Sequence, residues 1–199
     1  VYVRLAGNDN FADAFISRIS ANNASEVTAQ LDKIIAYEKG QVDVSGNWVK
    51  KGLCIASDEG GTPDYERAEW LQEGSGGASV KVEKGGLQGV GYTFTDVYAP
   101  GASAYKVANA VNAGLSIICY IGHGSSTMWV TSRFNINDVN DLTNTKMYPV
   151  IWSVACVNGD FVGETCFAEA WLRKANAGAV AMEAATTNES WIPPCDKQA

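Results

Sequence analysis

Apolar residues fall at helical spacing over 24–39, where Val27, Leu31, Ile34 and Ile35 share one face. Asn and Ser stand before this run and Gly40 follows it, the residue types that start and stop a helix. "KGLCIAS", residues 51–57, is a short apolar run and predicts a buried strand. "TPDYERAEWLQ" opens with Pro63 at a helix-entry position and predicts a helix over 63–72. The polar, glycine-rich stretch 73–91 predicts a loop or loose hairpin. "YTFTDVYAP" alternates and predicts a strand. Helices follow over 103–113, 136–142 and 164–177, the first ending against Gly114. Between them lie "LSIICYIG" and "YPVIWSVAC", which have no polar face, and after them "AVAMEA". Strands without a polar face are covered on both sides.

Strand, helix and strand in repeated alternation predict an α/β fold, a mostly parallel sheet of about six strands with helices on both faces. Working residues in such sheets collect beyond the carboxyl ends of the strands. His123, the single histidine of the chain, follows the strand 115–121. Cys156 comes thirty-three residues later and closes the strand 148–155. Both leave the sheet on the same edge and can meet if their strands are neighbours. A thiol becomes a good nucleophile when a base lowers its proton affinity, and imidazole does this near neutral pH. Gly124 stands where its N–H, with that of Cys156, can hold an oxyanion. The same residues would also suit a buried strand-end cysteine and a structural loop histidine.

Composition narrows the class. The chain of 199 residues is 46 % hydrophobic, enough for a real core. Its net charge of −7 comes without any Lys/Arg stripe, so a nucleic-acid partner is not expected. The acidity suits a basic substrate, and equally a soluble surface. No run of 18 apolar residues exists, so no transmembrane segment is expected. The five cysteines, Cys54, Cys119, Cys156, Cys166 and Cys195, form no C-x-x-C pair, so a zinc site is not expected. Cys54 and Cys119 read as small core residues. A disulfide among Cys156, Cys166 and Cys195 is left open.

"YIGHGSSTMW" and "SVACVNGDF" resemble the catalytic segments of the gingipains, the cysteine peptidases of family C25. "FISRISANNASEVTAQLDKIIAYEKG", "CIASDEGGTPDYERAEWL" and "ATTNESWIPP" are similar to gingipain segments before and after them, so the resemblance covers nearly the whole chain. It implies a caspase-like sheet and a cysteine endopeptidase. The caspase signature around cysteine is absent, so the link to caspases is one of fold.

Residue by residue, the resemblance implies His123 as general acid/base and Cys156 as nucleophile. It implies Glu59 as the acid that orients the histidine, with Asp58 beside it as competitor. Asp64 matches the floor of the S1 pocket in the arginine-specific type, where a carboxylate pairs with guanidinium. Trp191 matches a pocket wall that stacks on the basic side chain. Val154 and Gly122 complete the substrate-binding set. Cys195 stands where the arginine type has methionine, and extra residues around "EGSGGASVKVEKGG" precede the histidine. The lysine-specific type lacks "VNGDF".

The implied activity is hydrolysis after a basic residue, arginine before lysine, on protein or peptide substrates. No cofactor is required for that chemistry, and a structural calcium ion is implied without identifiable ligands. Secretion or cell-surface display is implied. Residues 1–199 are expected to be the catalytic subdomain within a longer polypeptide. Two other readings stand beside this one: a C25-type peptidase or transpeptidase acting on sorting signals, and a non-catalytic surface or assembly module.

Overall fold

Strands apolar on both faces need helices above and below, and the chain folds accordingly. The structure, a computed structural model, describes residues 5–8, 13–14, 16–43, 45–60, 62–74 and 85–190. Strands β1 (Lys51–Ala56), β2 (Thr93–Tyr98), β3 (Ile117–Ile121), β7 (Val150–Val154) and β8 (Ala181–Ala184) form a five-stranded sheet in the order β2-β1-β3-β7-β8. Every pairing in it is parallel. Among the described residues the sheet thus has five strands, against the six or so expected.

The register matters most. Ala56 of β1 stands opposite Ile121 of β3, and Ile121 stands opposite Val154 of β7. The carboxyl ends of three adjacent strands are therefore level. His123 and Cys156 each come two residues beyond that common rung.

Alternation sorts the strand side chains into two cores. Leu53, Ile55, Ile118, Tyr120 and Ile151 enter one with Val107 and Val111 of α3 (Ala104–Asn112), Val139 of α4 (Ile136–Asn140) and Phe167 and Trp171 of α5 (Phe167–Arg173). Cys54, Ala56, Cys119, Ile121 and Val154 point the other way, against Ala68 of α2 (Asp64–Glu73). Helix α1 (Ala24–Glu38) packs on α5. Asn23 caps it, accepting a hydrogen bond from the Glu26 N–H at 3.1 Å.

The histidine loop is more ordered than its sequence predicts. Three two-residue strands, β4 (Gly124–Ser125), β5 (Met128–Trp129) and β6 (Phe134–Asn135), make a small antiparallel sheet. Trp129 anchors it, stacked on Tyr120 at 4.9 Å and edge-on to Phe167 at 5.0 Å. Truncating such a buried aromatic costs about 3–5 kcal/mol, so the loop is held by core energy.

Helix α5 is shorter than the expected 164–177. Its start is set by Glu169, which accepts the Cys166 N–H at 3.0 Å. Its end is set by a reversal through Asn176 (φ 58°) and Gly178 (φ 75°), which returns the chain so that Ala179 N–H donates to Trp171 O at 3.1 Å. Helix α4 likewise stops at Asn140 rather than 142. No described helix is long and apolar enough to cross a membrane.

Candidate active site

The histidine loop leaves β3 under tight control. The His123 carbonyl accepts from the Tyr120 hydroxyl at 2.6 Å and from the Val130 N–H at 3.0 Å. With its one proton so used, the Tyr120 oxygen accepts from the Thr131 hydroxyl, whose Oγ1 lies 3.0 Å away. Burial pushes the Tyr120 phenol up to about 12, so it stays a donor at any working pH. Gly122 lies against this cluster: a Cβ there would come 2.6 Å from Thr131 Oγ1. The His123 ring meets Glu59, with Nε2 2.8 Å from Oε2. Both side chains are more than half exposed, so this pair sits in the open mouth of the site.

Cys156 sits on a turn directly after β7. A β-branched residue, Val157, occupies the left-handed region at φ 53° immediately after it. Such a conformation costs on the order of 1–3 kcal/mol and persists only when its surroundings impose it. The surroundings here are Asn158 and the segment after β8. Asn158, fully buried, donates to the carbonyls of Ser125 and Met128 at 2.6 and 3.1 Å and accepts from Ser153 Oγ at 2.8 Å. It therefore stitches the cysteine turn to the small sheet that carries the histidine loop.

Gly124 is where the two turns touch. A Cβ at this position would lie 2.5 Å from the Cys156 carbonyl oxygen and 2.8 Å from the Ala155 Cβ. Only glycine lets the backbones approach so closely.

Behind this line, on the α2 side, lies Asp64. It is 0 % exposed and opens helix α2 shortly after the end of β1. Ser57 donates its hydroxyl to Oδ2. Oδ1 has no hydrogen-bond partner among the described residues. Burial pushes the carboxyl above the usual aspartate range, opposed by the Ser57 hydrogen bond and by nearby Arg67. Val154 is buried between Ile121 and Ala68 on the same face. Trp191 and Cys195 lie outside the described residues. Cys156 and Cys166 are both free thiols, so the disulfide left open between them does not form.

Among the described residues no group of three or more His, Cys, Asp or Glu gathers into a metal site.

The family model described as "Peptidase family C25" matches residues 1–198. This chain belongs to peptidase family C25. Gingipain R2 of Porphyromonas gingivalis is 38 % identical over 98 % of the chain, which spans 26 % of that protein. Lys-gingipain of the same organism is 28 % identical over 96 % of the chain, which spans 11 % of that protein. The crystal structure of the Arg-specific cysteine proteinase gingipain R superimposes with a TM-score of 0.87 at 35 % identity, covering 99 % of this chain and 45 % of that one. The chain thus spans only part of the length of these C25 relatives. The parallel α/β sheet with helices on both faces, expected from the sequence, is the fold of the C25 catalytic domain.

Tyr120, Asn158 and Glu189 escaped the reading of the sequence. Asn158 left a trace, since "VNGD" is turn chemistry. Tyr120 looked like one more apolar strand residue, and Glu189 carried no local signal.

Proposed function

We propose that this chain is the catalytic part of a cysteine endopeptidase that cleaves after a basic residue, arginine before lysine. Asp64 carries the proposal. A buried carboxylate with an unused oxygen, set behind the edge where His123 and Cys156 emerge, is a receptor for a planar cation. A guanidinium would occupy Oδ1 and repay the burial of the charge. The higher identity to the R gingipains than to Lys-gingipain supports arginine. Trp191 and Val154 would wall the same pocket, with Gly122 also on the substrate side.

The chemistry follows from the placement. Glu59 holds Nε2 of His123, which would orient the ring and leave Nδ1 for the thiol. The imidazole takes the Cys156 proton, and the thiolate attacks the scissile carbonyl carbon. The resulting oxyanion is met by the N–H groups of Gly124 and Cys156. His123 returns the proton to the leaving amine as the C–N bond breaks. Water, deprotonated by His123, then cleaves the thioester and releases the acid. The substrates would be proteins or peptides, met outside the cell or at its surface, as the gingipain resemblance supports.

An arginine acyloxymethylketone probe tests this. It should add one label at Cys156 in the purified protein, faster than its lysine counterpart, with no label on Cys156→Ala or when His123 is replaced by Ala. Equal labelling of Cys156→Ala, or none of the native protein, overturns the reading. The sorting-peptidase alternative would show instead as preference for a probe without a basic side chain.

A further inference from the structure

After β8 the chain runs back along the cysteine turn and forms a ladder with it. Gly159 N–H donates to Ala185 O at 2.8 Å and Val157 N–H to Thr187 O at 3.1 Å. The next rung should join Ala155 N–H to the carbonyl of Glu189. A side chain takes that place: Glu189 Oε1 accepts the Ala155 N–H at 3.0 Å. The main chain of Glu189 is thereby freed for the sulfur. Its N–H points at Cys156 Sγ at 3.5 Å, and its carbonyl accepts from the same thiol at 3.7 Å.

We propose that Glu189 is a positioning residue for the nucleophile: its carboxylate, by taking the Ala155 N–H, fixes its own backbone N–H on the Cys156 sulfur. The argument rests on reading Cys156 as the nucleophile. A thiol can donate to the Glu189 carbonyl, whereas a thiolate can only accept. Ionisation therefore exchanges S–H···O for N–H···S⁻, and the second is charge-assisted and stronger. The N–H is in place before the proton leaves, so it favours the reactive form without reorganisation. The substituted rung explains why a long carboxylate stands at 189. Its oxygen must reach past its own carbonyl to a backbone N–H one residue before the sulfur. The titratable groups it meets are Cys156 and Glu183 of β8. Burial raises its pKa and the Ala155 N–H opposes the rise.

The test compares Glu189→Ala with Glu189→Gln in the whole protein. The first readout is the rate of Cys156 alkylation by iodoacetamide as a function of pH, without substrate. Glu189→Ala removes the acceptor, so alkylation at neutral pH should fall about tenfold and its pH profile should move upward. Glu189→Gln keeps an acceptor oxygen and should stay within about threefold of the native rate. The second readout is turnover of an arginine amide, where the loss in Glu189→Ala should fall on kcat more than on KM. An unchanged alkylation profile in Glu189→Ala overturns the inference, and so does a Glu189→Gln variant as slow as Glu189→Ala. Failure of the peptidase reading would look different: the native protein would not turn over the arginine amide, or would still do so after alkylation at Cys156, whatever the Glu189 variants do to the alkylation rate.

Discussion

Lys33 and Asp64 are both charged side chains out of reach of water, 2 % and 0 % exposed, and the chain treats them in opposite ways. Lys33 Nζ donates to the carbonyls of Leu172, Lys174, Ala177 and Trp171 at 2.8, 3.1, 3.2 and 3.3 Å. These oxygens belong to the end of α5 and the turn after it, where carbonyls lack helical partners and the helix dipole favours a cation. Every proton of the ammonium finds an acceptor within the fold. Asp64 receives one hydroxyl, from Ser57, and keeps one oxygen unmatched among the described residues. A charge saturated by its own chain holds structure together. A charge left half-satisfied at a sheet edge that also bears a cysteine and a histidine is, on the function proposed above, the place for a donor from outside. Burial alone does not separate the two roles; the count of partners does.

The sharpest way to break this contrast is Asp64→Asn. Removing one partner of a buried charge pair costs about 2–5 kcal/mol of binding, so kcat/KM for arginine substrates should fall by about thirtyfold to several thousandfold. Stability should hold, because burying an amide costs less than burying a carboxylate. Acidification should mimic the substitution. Burial raises the Asp64 pKa, so KM for arginine substrates should climb as the pH falls, beginning above the pH at which an ordinary aspartate is protonated. Steady-state kinetics from mildly acidic to neutral pH on arginine and neutral substrates would read both effects. An Asp64→Asn variant that cleaves arginine substrates at the native rate would make Asp64 a structural charge like Lys33.

Lys33→Met should do the reverse. Orphaned buried acceptors and a lost cationic cap together cost about 2–4 kcal/mol, read as a lower midpoint in urea, while activity per folded molecule stays native. The pH dependence has a defined sign. Burial pulls the Lys33 pKa from 10.5 down to about 7 in the fold. Between those values the unfolded chain binds a proton that the folded chain has released, so stability rises with pH. The slope approaches about 1.4 kcal/mol per pH unit for one proton and is absent below about 7. Lys33→Met should lack this slope. A variant with the same slope as the native protein would mean that another group causes it.

The division between saturated and unsaturated groups also separates the parts of the fold that were legible in the sequence from those that were not. The strands around Leu53, Ile118 and Ile151 were legible because burial on both faces writes a continuous apolar run. The shared edge of His123 and Cys156 was legible because parallel topology fixes which ends are neighbours. Lys33 was not, because on a helix face it reads as a solvated residue; its acceptors lie at the end of α5, more than a hundred positions on. The ends of α5 were misjudged for a related reason, since its stop depends on the reversal at Asn176 and Gly178 rather than on periodicity. Strands β4, β5 and β6 are two residues each, too short to show alternation, and exist because Trp129 and Asn158 pin them. Glu189 was hidden because its meaning lies in a rung whose other half is Ala155.

Glu59 gives the smallest expected effect and sharpens the contrast from its exposed side. Its pair with His123 is short at 2.8 Å, but both partners are more than half exposed. Water and salt screen such a pair, and exposed ion pairs are worth on the order of 0.2–1 kcal/mol. If its task is to orient the imidazole, Glu59→Ala should lower kcat only about two- to fivefold. Glu59→Gln keeps an oxygen for the Nε2 proton and should lie within about twofold of native. The Glu59→Ala deficit should shrink when salt is raised from about 0.05 to 0.5 M, because the native pair is weakened while the variant has nothing to lose. A loss of a hundredfold or more in Glu59→Ala would break the ordering. It would mean that bound substrate covers the pair, excludes water from it and turns an exposed contact into a buried one. Glu59 would then share the role proposed for Asp64, that of a charge completed only by the substrate.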